Sequence, residues 1–190
     1  MLTFGAARLL LVLHTAIGVA AVGAGTHLVI WLRRYLRGSG SRRAVLKFAW
    51  WFFGLQLAAF VLGSTMYPTY KVEVRAAYLE NQTAVTSEQM TRDSALSELV
   101  AKQHGEPRKA TTTADLVKRA AQAARWFDVK EHWIALGILM SAAVLLVLSF
   151  WKPEDSAVLS PIVLTMATIA AGTTWLGAII GVLTAAWRAV

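Results

Sequence analysis

Four histidines are spread along this chain, at positions 14, 27, 104 and 132. His14, His27 and His132 fall in or beside long apolar runs. An ionisable ring placed in hydrocarbon is costly, so it usually faces the interior of a helix bundle and has a task. His14 and His27 are thirteen residues apart, which turns them roughly 140° from each other around one helix. Each still lies on a face of small residues. His14 lines up with Gly18, Ala21 and Gly25, and His27 with Ala16, Ala20 and Gly23. A wide, flat ligand lying along a helix needs such a groove, and haem held by imidazoles from facing helices is the obvious candidate. The rival explanation is close helix packing, because small residues four apart are how helices approach each other in lipid.

Depth selects the pairs. His14 and His132 lie towards the same side of the bilayer, and we read them as the first-choice axial ligands of one b-type haem. Arg8, Lys71, Arg75 and Lys130 are placed to meet its propionates. His27 lies near the opposite boundary, where Met166 is its candidate partner and another subunit could supply a ligand instead. His104 sits in a polar stretch and reads as solvated. His132 has a second reading. In the run Phe127-Asp128-Val129-Lys130-Glu131-His132-Trp133, a carboxylate can orient an imidazole and set its proton affinity. With Tyr67 and Tyr70, the residues Asp128 and Glu131 would then exchange protons with a quinone at the membrane surface. No HxxH or HxxxH spacing supports a metal centre. The absence of cysteine removes iron–sulfur clusters, CxxCH haem attachment and thiolate zinc.

These residues must be positioned by membrane helices. A hydrocarbon core about 30 Å thick needs roughly 20 apolar residues of helix. Four segments qualify: Leu9–Leu32, Ala44–Tyr67, His132–Trp151 and Pro161–Trp187. They are continuous rather than alternating, which argues against barrel strands. The expected fold is an all-α integral membrane protein, a four-helix bundle in one domain over 1–190. An extramembrane helical segment over 69–131 should join the second and third spans. There Met90, Leu96, Leu99, Val100 and Gln103 recur at near-helical spacing, as do Leu116, Ala120, Ala124 and Phe127. Gly105, Glu106 and Pro107 should separate these two pieces. Thr112 or Thr113 is a candidate N-cap, and the second piece should run unbroken into the third span. Pro68 should end the second span, because it lacks the N–H needed to continue a helix.

The net charge of +8 is read as membrane orientation, with no nucleic-acid partner. Arg33, Arg34, Arg37, Arg42, Arg43 and Lys47 crowd the first loop without an acid, whereas 71–131 carries ten Lys/Arg and nine Asp/Glu. By the positive-inside rule the first loop is cytoplasmic. Both termini and the long segment then lie outside, on the periplasmic side if this is a bacterial plasma membrane, which the Ala and Arg bias fits. The signal-like N-terminus, with Arg8 before an apolar stretch and small residues near Ala24, is read as a retained span. Trp31, Tyr35, Trp50, Trp51 and Trp151 mark one interface, and Tyr67, Tyr70, Trp126, Trp133 and Trp187 the other. Trp175, mid-helix, is expected to pack between helices. Gln56 should hydrogen-bond another helix, and Gly177 and Gly181 form a GxxxG suited to tight packing.

Four spans with histidines near helix ends and small residues beside them resemble, in architecture, the membrane-anchor cytochrome b subunits of quinone-linked respiratory complexes. The resemblance rests on His14, His27 and His132 and covers the apolar part of the chain. It implies haem b, electron exchange with a quinone pool, and partner redox subunits. No Walker loop, GxGxxG or nucleophile elbow occurs, so the chain is not expected to be an enzyme alone. Two alternatives stand beside this reading. One is a non-redox accessory subunit. The other is a small transporter or metal permease using His14, His27 and Gln56.

Overall fold

A computed structural model of the chain describes residues 4–102, 112–156 and 158–185, with no strand among them. Helix α1 spans Phe4–Leu36 and α2 Arg42–Thr69. A π-helical extension of α2 covers Tyr70–Leu79. Then come α3 (Gln82–Lys102), α4 (Thr113–Phe150) and α5 (Leu159–Ala185). Four of these elements are long and apolar enough to cross a membrane: Gly5–Leu36, Arg42–Leu79, Thr113–Phe150 and Leu159–Thr184. The chain is a multi-pass membrane protein. His104, Gln103, Gly105, Glu106, Pro107 and Trp187 lie outside the described residues.

The four long helices pack as a ring in the order α1, α2, α4, α5, with α5 closing back on α1. Gly38 turns the chain between α1 and α2 in the left-handed region (φ 77°), which lacks a steric penalty only for glycine. α4 has 38 residues, about 57 Å of helix against roughly 30 Å of hydrocarbon. Its first half therefore projects beyond the bundle, as the sequence leads one to expect. Thr112 caps it by accepting the Asp115 N–H.

The interior is layered. At the end that carries the first loop, the basic end, Leu28, Leu32, Val45, Ala49, Phe52, Val144, Leu148, Val163 and Ala167 form a dry core drawn from all four helices. A polar layer follows. Gln56, 3 % exposed, donates through Nε2 to Thr174 Oγ1 at 2.5 Å, which is the cross-helix bond expected of it. Further along, α4 and α5 interlock through glycine: Thr173 lies over Gly137, Ile134 over Gly177, and the Lys130 chain over Gly181. The GxxxG is thus used inside the chain. At the far end, the cap end, Tyr78, Leu79, Val85, Leu116, Ala120, Ala123 and Ala124 make a second small core that holds α3.

Two expectations are corrected. Pro68 does not end α2 but sits within it, so the span does not stop at Tyr67. Its ring faces outward, and the helix goes on by loosening into π turns. Trp175 does not pack between helices. It is 50 % exposed and lies across the surface of α1, its indole N–H donating to Thr26 Oγ1 at 3.1 Å.

Both ends are tied by arginine. At the basic end Arg42 donates to the Leu148 and Ser149 carbonyls at 3.2 and 2.9 Å, meeting the free C=O groups and negative dipole at the C-terminus of α4. In the bundle, close approach is set at Gly25, where an added Cβ would fall 2.6 Å from the Phe52 ring, whereas Gly54 faces open space. Gly25→Val should therefore cost about 1–3 kcal/mol by overpacking and lower the thermal midpoint in detergent by several degrees, while Gly54→Ala does not lower it. Equal midpoints for the two variants would refute this packing.

Candidate functional site

The π-helical stretch builds the site at the cap end. In an α-helix, residues five apart point about 140° away from each other. In the i→i+5 register they stack one above the next, and Tyr70, Arg75 and Glu80 are so spaced. The Glu80 N–H donates to the Arg75 carbonyl at 2.8 Å, a bond of that wider turn. The three residues thus share the side that meets α4. Tyr70 stacks on Phe127 with ring centroids 3.8 Å apart, and on Tyr67 at 6.4 Å. Arg75 reaches Asp128 through Nη1 and Glu80 through Nε, both at 2.6 Å. Lys71 lies over the Tyr67 ring and Lys130 over Phe127. Glu131 lies within electrostatic range of Lys71, Arg75 and His132. The patch on α2 and the charged start of the third span are therefore one cluster.

Beneath that cluster two ionisable side chains, His14 and Lys130, enter the bundle. The His14 Nδ1–H donates to the Ala59 carbonyl of α2 at 2.8 Å, and the ring is pressed against Gly63, where a Cβ would sit 3.3 Å from its Cε1. The Lys130 amine lies against Gly181 and within electrostatic reach of His14. Among the described residues Lys130 has no ion pair. All four spanning helices contribute: α1 the imidazole, α2 the Ala59 carbonyl and the bare Gly63, α4 the amine, and α5 only the absence of a side chain at Gly181.

The other imidazoles point elsewhere. His132 is exposed, and its Nδ1–H donates to the Asp128 carbonyl at 2.8 Å. It is two residues from Lys130, about 200° around α4, so the face that meets His14 is not its own. The expected His14/His132 pair is not brought onto one groove. Of the small residues beside His14, Ala21 and Gly25 are buried and Phe52 covers the latter, whereas a Cβ on Gly18 would meet nothing within 4 Å. A macrocycle lying over Ala21 and Gly25 would displace α2. Among the propionate candidates, Arg75 is held by two carboxylates, Arg8 is already engaged by another group, and Lys71 and Lys130 carry no ion pair among the described residues.

His27 is the opposite case. It is exposed on α1, its Nδ1–H donating to the Gly23 carbonyl at 2.8 Å and its ring stacked on Phe48 at 5.3 Å. Ala16 and Ala20 are exposed on the same strip, and a Cβ on Gly23 would meet nothing within 4 Å. An imidazole tied through Nδ1 to a carbonyl, with Nε2 open, is the donor form that ligates iron, and the flat strip beside it is the cradle a macrocycle requires. The donor set and the space fit a haem at this face with its other ligand from outside the chain. Met166 packs against the dry core instead and does not share that face.

Sequence reasoning missed Glu80, Ala59 and Gly63, and named Phe127 without its stack on Tyr70. The five-residue spacing of Tyr70, Arg75 and Glu80 was the available signal for Glu80. Nothing in the sequence alone marks which carbonyl and which glycine receive His14.

The Arg75–Asp128 pair should join the π segment to α4 measurably. In a double-mutant cycle of Arg75→Gln and Asp128→Asn, thermal unfolding should give a coupling of about 1 kcal/mol that shrinks at high salt. Purely additive effects would mean that the pair does not fasten the cap.

No protein family matches this chain, and no curated protein or solved structure matches it either, so the functional reading rests on these residues.

Proposed function

We propose that this chain is a haem-b-carrying subunit of a larger membrane redox complex, with the haem at the face of α1 that carries His27 and its second axial ligand supplied by a neighbouring subunit. One observation carries the reading: an exposed imidazole, oriented by its own backbone, stands over an open strip of Ala and Gly. His27 is six residues from Arg33, about 9 Å along the axis, and so within hydrocarbon. An unanswered nitrogen lone pair is costly there, so this face calls for a covering group. Iron in a flat macrocycle would answer both the nitrogen and the strip. When bound, a b-type haem supplies a one-electron couple. The Gly23 carbonyl would fix the ring tautomer, and the Phe48 ring would back the imidazole from α2.

The cap-end cluster supports a quinone as the exchange partner. Lys130 offers N–H donors to carbonyl oxygens, the His14 Nε2 lone pair can accept a quinol O–H, Tyr67 and Tyr70 offer aromatic faces, and Asp128, Glu131 and His132 connect to water. In the orientation that the unpaired basic loop implies, this cluster, both termini and α3 lie on the periplasmic side of a bacterial plasma membrane.

The second reading is an accessory subunit without a redox group, in which a partner helix lies directly along Ala16, Ala20 and Gly23. Small exposed residues at that spacing serve helix packing equally well.

A reduced-minus-oxidised visible spectrum of the protein purified with its native assembly separates the two. The expected result is a b-type signal that is lost in His27→Ala and in Gly23→Leu but kept in His132→Ala. A colourless assembly whose partners dissociate in Gly23→Leu would establish the accessory reading instead. A b-type signal indifferent to His27→Ala would move the haem off this face.

A further inference from the structure

We propose that the groove between α1 and α5 at the basic end binds one anionic phospholipid. The groove, of ≈ 510 Å³, is lined by Val29, Arg33, Leu36 and Arg37 of α1 and by Leu164 and Thr168 of α5. Its chemistry changes along its length in the order of the parts of a phospholipid. The trough is apolar, since the Thr168 hydroxyl is turned back onto the Leu164 carbonyl at 2.8 Å. The mouth carries two exposed guanidinium groups one helical turn apart. Arginine presents paired N–H donors that match a phosphate diester, and basic pockets between helices at this depth suit anionic headgroups.

The surrounding charges are otherwise occupied. Arg34 leans over the Trp31 ring at 5.0 Å, and Arg42 is spent on the end of α4. The acids of this end, Glu154 and Asp155, lie in the α4–α5 turn. There Asp155 accepts the Lys152 N–H at 2.9 Å, and both acids sit within electrostatic range of Tyr35. Among the described residues neither Arg33 nor Arg37 forms an ion pair. Two cations over an apolar trough at a membrane interface therefore await an anion that also brings a hydrocarbon chain. This site is separate from the His27 strip and does not depend on the haem reading.

Native mass spectrometry of the full chain, released from detergent containing phosphatidylglycerol and phosphatidylcholine, tests the site. Phosphatidylglycerol should be retained about twenty-fivefold over phosphatidylcholine, at about fivefold per arginine. Arg33→Gln with Arg37→Gln should abolish that preference. Leu164→Trp, which fills the trough and leaves both charges, should lower retention of phosphatidylglycerol as well. Millimolar inorganic phosphate should not displace the lipid. Equal retention of the two lipids, a preference that survives the double variant, or displacement by inorganic phosphate would each overturn the proposal. So would occupation of the groove by a second copy of the chain, read as a dimer that Leu164→Trp dissociates.

Discussion

Helices in lipid gain little from pressing leucine against leucine, because the acyl chains they displace are equally apolar. This bundle therefore depends on close approach at positions without side-chain bulk. Phe52 is laid on Gly25, Ile134 on Gly177, Thr173 on Gly137, the Lys130 chain on Gly181 and the His14 ring on Gly63. In each case a side chain of one helix occupies the volume that a Cβ on the next would have taken, and dispersion contacts at short range replace the hydrophobic drive. Two of these five knobs are ionisable. The same device that holds the helices together is what admits a histidine and a lysine to the interior.

A second constraint follows from the same solvent. Polar groups that enter hydrocarbon must be answered within the protein or by whatever covers it. Most are answered locally. Thr168, Thr173 and Thr174 return their hydroxyls to their own helix, Gln56 bonds Thr174, and the Trp175 indole is met by Thr26. Arg42 and Arg75 close the two ends on backbone carbonyls and on carboxylates respectively. Among the described residues the buried Gln56 Oε1 and Trp151 Nε1 have no hydrogen-bond partner, and two features at the surface are left without an answer inside the chain: the open nitrogen of His27 over its small-residue strip, and the pair of arginines above the α1/α5 groove. The first lies within hydrocarbon and the second at an interface, so they call for different chemistry, a flat ligating group and an anionic amphiphile. In both cases the bundle is completed by molecules beyond its own chain.

The π segment shows how a local backbone adjustment can compose a site. Pro68 removes one N–H, yet the helix does not stop there, and beyond Thr69 its turns widen. That widening puts Tyr70, Arg75 and Glu80 on one side, where an α-helix would have scattered them. The aromatic stack on Phe127 and the ion pair to Asp128 depend on it, and with them the attachment of α3 to the bundle.

The sequence by itself determined the four spans, the helical cap, the continuity of α4 through both, and the Thr112 start, because these follow from hydropathy length, periodicity and capping chemistry that act within a few residues. It also marked Gln56 and the Gly177/Gly181 pair as cross-helix contacts. The tertiary structure decided which face of each helix meets which neighbour. It turned His14 onto Ala59 and Gly63, set His132 on the outer face, left His27 exposed, and carried α2 through Pro68. Those outcomes depend on the rotation of one helix against another and on a register change of a single residue per turn. Such quantities are set by the fit of side chains from distant segments and are not encoded in any one stretch of chain.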